Sequence, residues 1–230
     1  MTDDTMNRAL LDGAFRTFEE RMVQLLDYAS EIAALLKNQP RFLPELADSV
    51  VVLAVTRLEA FFSTLVSLGT RYREHEIRKH FQKHGRQDAQ SCDLPTLVKM
   101  VRGRVSFGDG GKRLDNLFHL VFQLSVWPSD EVRELVLDLV RLRHFIVHST
   151  GQDWSQEGIS QAGYASQFKR ADILKIRRYG DLATYSIDHY NTMLFLRDAV
   201  PAIVEQAKYL EQRLGGLWGT SVVPSRPESA

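Results

Sequence analysis

Cysteine is almost absent. Cys92 is the single one, which excludes an intramolecular disulfide and fits a reducing compartment. Long apolar runs are missing too. The longest, Val50 to Val55, falls far short of the roughly 20 residues that a bilayer crossing requires. The opening MTDDTMNRALLDG lacks the basic start and apolar stretch of a secretory leader, so a soluble, cytoplasmic protein with no membrane partner is expected. Net charge is also missing. The 29 Lys and Arg balance 29 Asp and Glu, with a pI of about 7.1, which argues against a uniformly basic nucleic-acid binder. No stretch rich in Pro, Gly and Ser divides the 230 residues. One domain over 1–215 is therefore expected, with a flexible, aperiodic tail over 216–230.

What is present is helical periodicity. Leu11, Phe15, Phe18, Met22, Leu25, Ala29, Ile32 and Leu36 step alternately by four and three, a seam for near-parallel packing inside a bundle or across a dimer. Asn38, Gln39 and Pro40 end it. Pro44 and Glu45 suit the first turn of a second helix running to about Phe81. Its early half is apolar almost all round and should be the most buried part of the fold. The charged later half should protrude into solvent. Asp93 or Leu94-Pro95 starts a short helix to about Arg104, and Leu114, Leu117, Phe118, Val121 and Phe122 mark another, ended by Trp127-Pro128. Between them Gly108-Asp109-Gly110-Gly111 is a turn, lacking the preceding strand and the lysine spacing of a phosphate-binding loop. The last helix, about Asp188 to Leu214, repeats the seam through Met193, Leu196, Val200, Ile203, Ala207 and Leu210. Pro201 should kink it and Gly215-Gly216 should stop it. Before it lies the least regular region, where Phe168 to Tyr179 and Ala183 to Ile187 form a candidate hairpin across Gly180-Asp181.

Charge, though balanced, is uneven. Residues 1–50 hold five Lys or Arg against nine Asp or Glu, whereas residues 71–113 hold eleven against five. A second basic cluster comprises Lys169, Arg170, Lys175, Arg177 and Arg178. Such clusters are either phosphate-facing or solvated loop faces.

The chain is organised around Ser129 to Gly151. Ser129 is placed to cap a helix, Asp130 and Glu131 sit at its positive end, and Gly151 can turn the chain out of it. Val132, Leu135, Val136, Leu139, Leu142 and Ile146 form its apolar side. The final turns break that pattern with Arg143, His144 and His148. Basic groups there complement the negative end of the helix. A guanidinium entering an apolar stripe is nevertheless costly unless paired, and an imidazole titrates near neutral pH.

Arg143-His144-Phe145-Ile146-Val147-His148, followed by Ser149-Thr150-Gly151, resembles the Arg, polar residue, three residues, His signature of the HEPN superfamily (higher eukaryotes and prokaryotes nucleotide-binding). The commoner form has Asn after the Arg; His144 stands there in this chain. Leu58-Glu59-Ala60-Phe61 resembles a stretch often seen on the second HEPN helix. The resemblance implies an all-α, up-and-down helical bundle with a small irregular or β-hairpin insertion after the motif helix. It further implies a metal-independent endoribonuclease that uses no cofactor and acts as a homodimer on RNA.

RNA carries its own nucleophile, the 2′-hydroxyl, so cleavage needs a base, an acid and a cation for the anionic phosphorane. An imidazole supplies proton transfer and a guanidinium a forked, permanently charged phosphate contact. His148 and Arg143 are the candidates, with His144 orienting the site or contacting phosphate. Five helix positions turn through about 500°, about 140° net, so the pair converges best if His148 lies in a fraying last turn. The resemblance implies that two protomers join their motifs about a twofold axis, one His acting as base and its mate as acid, leaving a 2′,3′-cyclic phosphate. Glu59, beside apolar neighbours, needs a cation if buried, and Arg143 is the expected partner. Arg141, Lys169 and Arg170 are candidate RNA-phosphate contacts. A toxin or defence-type nuclease restrained by an antitoxin or regulatory protein follows from this reading. The alternative is a non-catalytic HEPN module binding RNA, nucleotide or a partner protein. A third reading puts zinc on His144 and His148, which share a helix face, but it lacks a zincin glutamate and a cysteine cluster.

Overall fold

The computed structural model describes residues 3–35, 40–86, 88–149, 167–179 and 182–219. They form a helical bundle with one small antiparallel hairpin. Helix α1 spans Asp3–Leu35, and most of its seam is spent inside the bundle: Leu11, Phe15, Phe18, Met22, Leu25 and Ala29 are all buried against helices α2 (Leu43–Tyr72) and α8 (His189–Gly219), Ile32 is half-buried, and Leu36 lies outside the described residues. Phe18 stacks on Phe61 of α2 with ring centroids 4.1 Å apart, and Phe62 meets Phe118 edge-on at 5.5 Å. Offset and edge-on pairs of this kind add about 0.5–1.5 kcal/mol each beyond their buried area.

Helix α2 begins with Pro44 in its first turn, as expected, and packs against nearly every other helix. By length and composition it could also cross a membrane, but half of its most apolar stretch is buried in the bundle, the use of a core helix. It does not continue to Phe81. The chain breaks at Arg73 (φ −115°, ψ 35°) and restarts as α3, Glu74–Lys83. Nor does this later half simply protrude, because Ile77 and Phe81, four apart on one face, are fully buried.

Two short helices follow, α4 (Asp88–Ser91) and α5 (Leu94–Arg102). Asp93 caps α5 by accepting from the Thr96 N–H at 2.9 Å, as its position before Leu94-Pro95 predicts. Helix α6, Lys112–Phe122, ends earlier than Trp127-Pro128 implied, because Gln123 takes a left-handed conformation (φ 59°) and the chain turns there. The Asp115 carboxylate holds that turn, accepting from the Ser125 hydroxyl at 2.7 Å and the Val126 N–H at 2.9 Å.

Helix α7, Asp130–Ser149, lies against α2 and α8. Strands β1 (Leu174–Tyr179) and β2 (Leu182–Ile187) pair with Leu174 opposite Ile187 and Tyr179 opposite Leu182. The hairpin is anchored by Ile173 and Leu174 in the core and by the Asp188 N–H, which donates to the Ile173 carbonyl at 2.7 Å. Helix α8 contains Pro201 and runs through Gly215 and Gly216 to Gly219. The expected stop at this glycine pair is therefore displaced. Glycine costs a helix about 1 kcal/mol per residue without forbidding it, and fully buried Leu214 holds the preceding turn. Most of the expected tail, 220–230, lies outside the described residues.

Candidate functional site

Helix α7 is organised by its ends and by one buried carboxylate. Ser129 accepts from the Val132 N–H at 3.2 Å, and Arg133 bridges Asp130 (2.9 Å) and Glu134 (3.2 Å) in the first turns. Val136 to Leu139 are buried at four consecutive positions, so the helix is enclosed on all sides there. One of the four is Asp138, only 1% exposed. Its carboxylate accepts from Arg141 at 2.7 Å and from the backbone N–H groups of Lys169 (3.1 Å) and Arg170 (3.0 Å). A buried carboxylate persists only when its lone pairs are satisfied in this way. Asp138 thus pins the chain entering the hairpin to the motif helix.

Arg143 sits half-buried on α7, and its Nε is a buried donor with no acceptor. The expected ion pair with Glu59 is not formed among the described residues. Glu59 is only half-buried, so it does not require a cation as a fully buried carboxylate would. It faces instead a recess of about 400 Å³ whose other walls include Arg141 and His144 of α7, Gln167, and the loop from Val105 to Gly110. Val140 and His144, four apart, share that wall with Leu137, one turn before Arg141. Arg143 does not line it. His148 is carried on the last turn of α7, and its side chain, like Gly151, lies outside the described residues.

The other cationic candidates divide. Arg141 is held by Asp138 and lies 3.6 Å from Glu134. Arg170 is a clamp: its Nε and Nη2 donate to Asp172 at 3.1 and 3.2 Å, and its Nη1 donates to Asp198 of α8 at 3.1 Å. These bonds hold the guanidinium pKa above its ordinary value and that of Asp172 below. A phosphate would have to displace two carboxylates from this fork. The side chain of Lys169 is exposed. Among the described residues no group of three His, Cys, Asp or Glu is placed to hold a metal ion.

The structure therefore brings Glu59, Arg141 and His144 to one recess, a carboxylate, a guanidinium and an imidazole able to bind an anion and exchange a proton. The sequence missed Asp138. It falls in an apolar stripe between Leu137 and Leu139, and three of the N–H groups that satisfy it are supplied by Arg141, Lys169 and Arg170, two of them from about thirty residues further on. Comparison with family models, with characterised proteins and with solved structures finds no match to this chain, so the reading of its site rests on its own residues.

Proposed function

We propose that this protein is a metal-independent endoribonuclease of HEPN type, a toxin or defence-type enzyme of the cytoplasm that cleaves RNA at a composite site built from two copies of the chain. The observation that carries this reading is Arg143: a half-buried guanidinium with an unsatisfied Nε, near the end of a helix held in a bundle, five positions before His148. Folds seldom retain a buried, unsatisfied guanidinium donor in such a place without a use for it. In the mechanism Arg143 neutralises the phosphorane, His148 of one protomer removes the 2′-hydroxyl proton, and His148 of the other protonates the 5′-oxygen leaving group. The products are a 2′,3′-cyclic phosphate and a free 5′-hydroxyl.

A second reading, a non-catalytic module that binds RNA, nucleotide or a regulatory protein, is favoured by one feature. Arg141 and Arg170 are already committed to carboxylates, which reduces the cations left for a substrate. The two readings separate in one assay. The purified protein with EDTA present should cut single-stranded RNA to ends carrying a 2′,3′-cyclic phosphate. Arg143→Ala and His148→Ala should each lose at least about 100-fold in rate, the lower end of what one acid–base group contributes. Turnover that survives both substitutions, or that vanishes with EDTA, overturns the nuclease reading; RNA binding without turnover supports the second.

A further inference from the structure

The excess of positive charge over residues 71–113 converges in the folded chain. Three recesses adjoin one another, two along α3, α5 and α6 and the third against α7. The first, about 390 Å³, is lined by Arg86 and Lys99 and shares Gly103 and Arg104 with the second. The second is the widest, about 950 Å³, and adds His80, Arg113 and His119. Ser106 belongs to both the second recess and the third, the one that Arg141 and His144 of the motif helix line. Loop 103–110 is thus a common wall leading from the basic end of the molecule to the motif.

The cations of this track are not spent on carboxylates. Arg104 lies over the Phe81 ring, 4.2 Å from its centroid, and neither it nor Lys99 nor Arg113 has a carboxylate partner among the described residues. All three are exposed. Among the described residues of the track, only Arg86 (to Asp88, 3.7 Å) and His119 (to Asp115, 3.5 Å) have acidic neighbours, both at long range. The rings of His80 and His84 stack with centroids 4.3 Å apart, and His80 lines the second recess. Cations along a concave path, with a stacking platform beside it, are the combination that grips a single strand: phosphates meet the charges and bases meet the rings. Partial desolvation, and secondarily the charge of Arg86, shift Arg104 below the ordinary guanidinium range.

We infer that this groove binds the phosphodiester backbone of single-stranded RNA through Lys99, Arg104 and Arg113 and delivers the strand past Ser106 to the motif helix. The inference rests on RNA being the substrate, but it concerns residues that take no part in cleavage. An uncleavable probe tests it: a fluorescent 20-residue 2′-O-methyl oligouridylate, titrated by anisotropy at several salt concentrations. The wild type should bind less tightly as salt rises, with each phosphate contact adding about −0.7 to the log–log slope. Arg104→Gln/Arg113→Gln should bind at least about tenfold more weakly at low salt, with the slope shallower by about 1.4. Lys99→Gln/Arg113→Gln, which leaves the Arg104–Phe81 contact intact, should do the same. If both groove variants bind like the wild type, the inference is overturned. It is also overturned if the wild type ignores the oligonucleotide but is retained by anionic vesicles or an acidic peptide. Cleavage of ordinary RNA, assayed alongside, keeps the two claims apart. Groove-dependent binding without any cleavage sinks the nuclease and leaves the groove, whereas cleavage indifferent to the groove does the reverse.

Discussion

A carboxylate with three N–H donors and 1% exposure should be among the costliest single side chains to remove. Asp138→Ala removes a partner of the Arg141 guanidinium and strands the N–H groups of Lys169 and Arg170. Leaving such buried partners uncompensated costs about 3 kcal/mol, so the urea midpoint should fall sharply while the slope stays constant; an unchanged midpoint would remove Asp138 from its structural role. Arg143 calls for the opposite experiment. Its buried Nε contributes nothing to folding, so Arg143→Met should keep or raise stability, by up to about 1 kcal/mol, while abolishing RNA cleavage. A large loss of stability would mean that Arg143 serves the fold rather than a substrate. These two residues also mark what a sequence conveys. Arg143 stands out because it interrupts an apolar stripe. Asp138 interrupts the same stripe yet is indistinguishable in sequence from a solvated aspartate, since two of its donors are backbone groups about thirty positions away. Glu59 was legible as a polar residue in an apolar context, but its direction depends on where loop 105–110 crosses, which no local pattern encodes.

Among the elements, periodicity located the long helices, and their ends were harder. The seam on α1 and the caps Ser129 and Asp93 are local features, and the structure keeps them. The break at Arg73 is not local. It follows from burying Ile77 and Phe81 while Arg78 reaches across to the next segment. The Arg78 fork holds Glu74 at 2.7 and 2.8 Å and donates to the Ala89 carbonyl at 2.6 Å, and its bond to Glu74 raises the guanidinium pKa above its usual value. Bonds of this kind are worth about 1.5–3 kcal/mol when one partner is charged. Arg78→Ala should therefore release the 88–92 segment before it unfolds the bundle. Amide exchange in α4 should accelerate at least about tenfold, with that in α2 unchanged; uniform acceleration would show that α3 and α4 do not behave as a separate unit.

For the whole molecule, the question is how the two halves of the bundle are held together, and a titratable contact joins them. Asp48 of α2 faces His189, the first residue of α8, at 3.5 Å. Its Oδ1 is buried without a hydrogen bond, and burial, only partly offset by His189 and reinforced by the charge of Glu45, raises its pKa above the ordinary carboxylate range. A carboxyl with a raised folded pKa holds its proton in the folded chain after the unfolded chain has lost it. Its contribution is therefore fully favourable below the unfolded carboxyl range and declines as pH rises through the folded pKa. Above its folded pKa the wild type carries the cost of an ionised, half-buried Asp48, and an amide of the same shape does not. Asp48→Asn should then melt at a higher temperature than the wild type at about pH 7, the gap narrowing as pH is lowered toward about 4. Thermal melts followed by circular dichroism across that range decide the matter. A variant less stable than the wild type at neutral pH would mean that attraction to His189 outweighs desolvation, and that the junction between α2 and α8 is held by an ion pair.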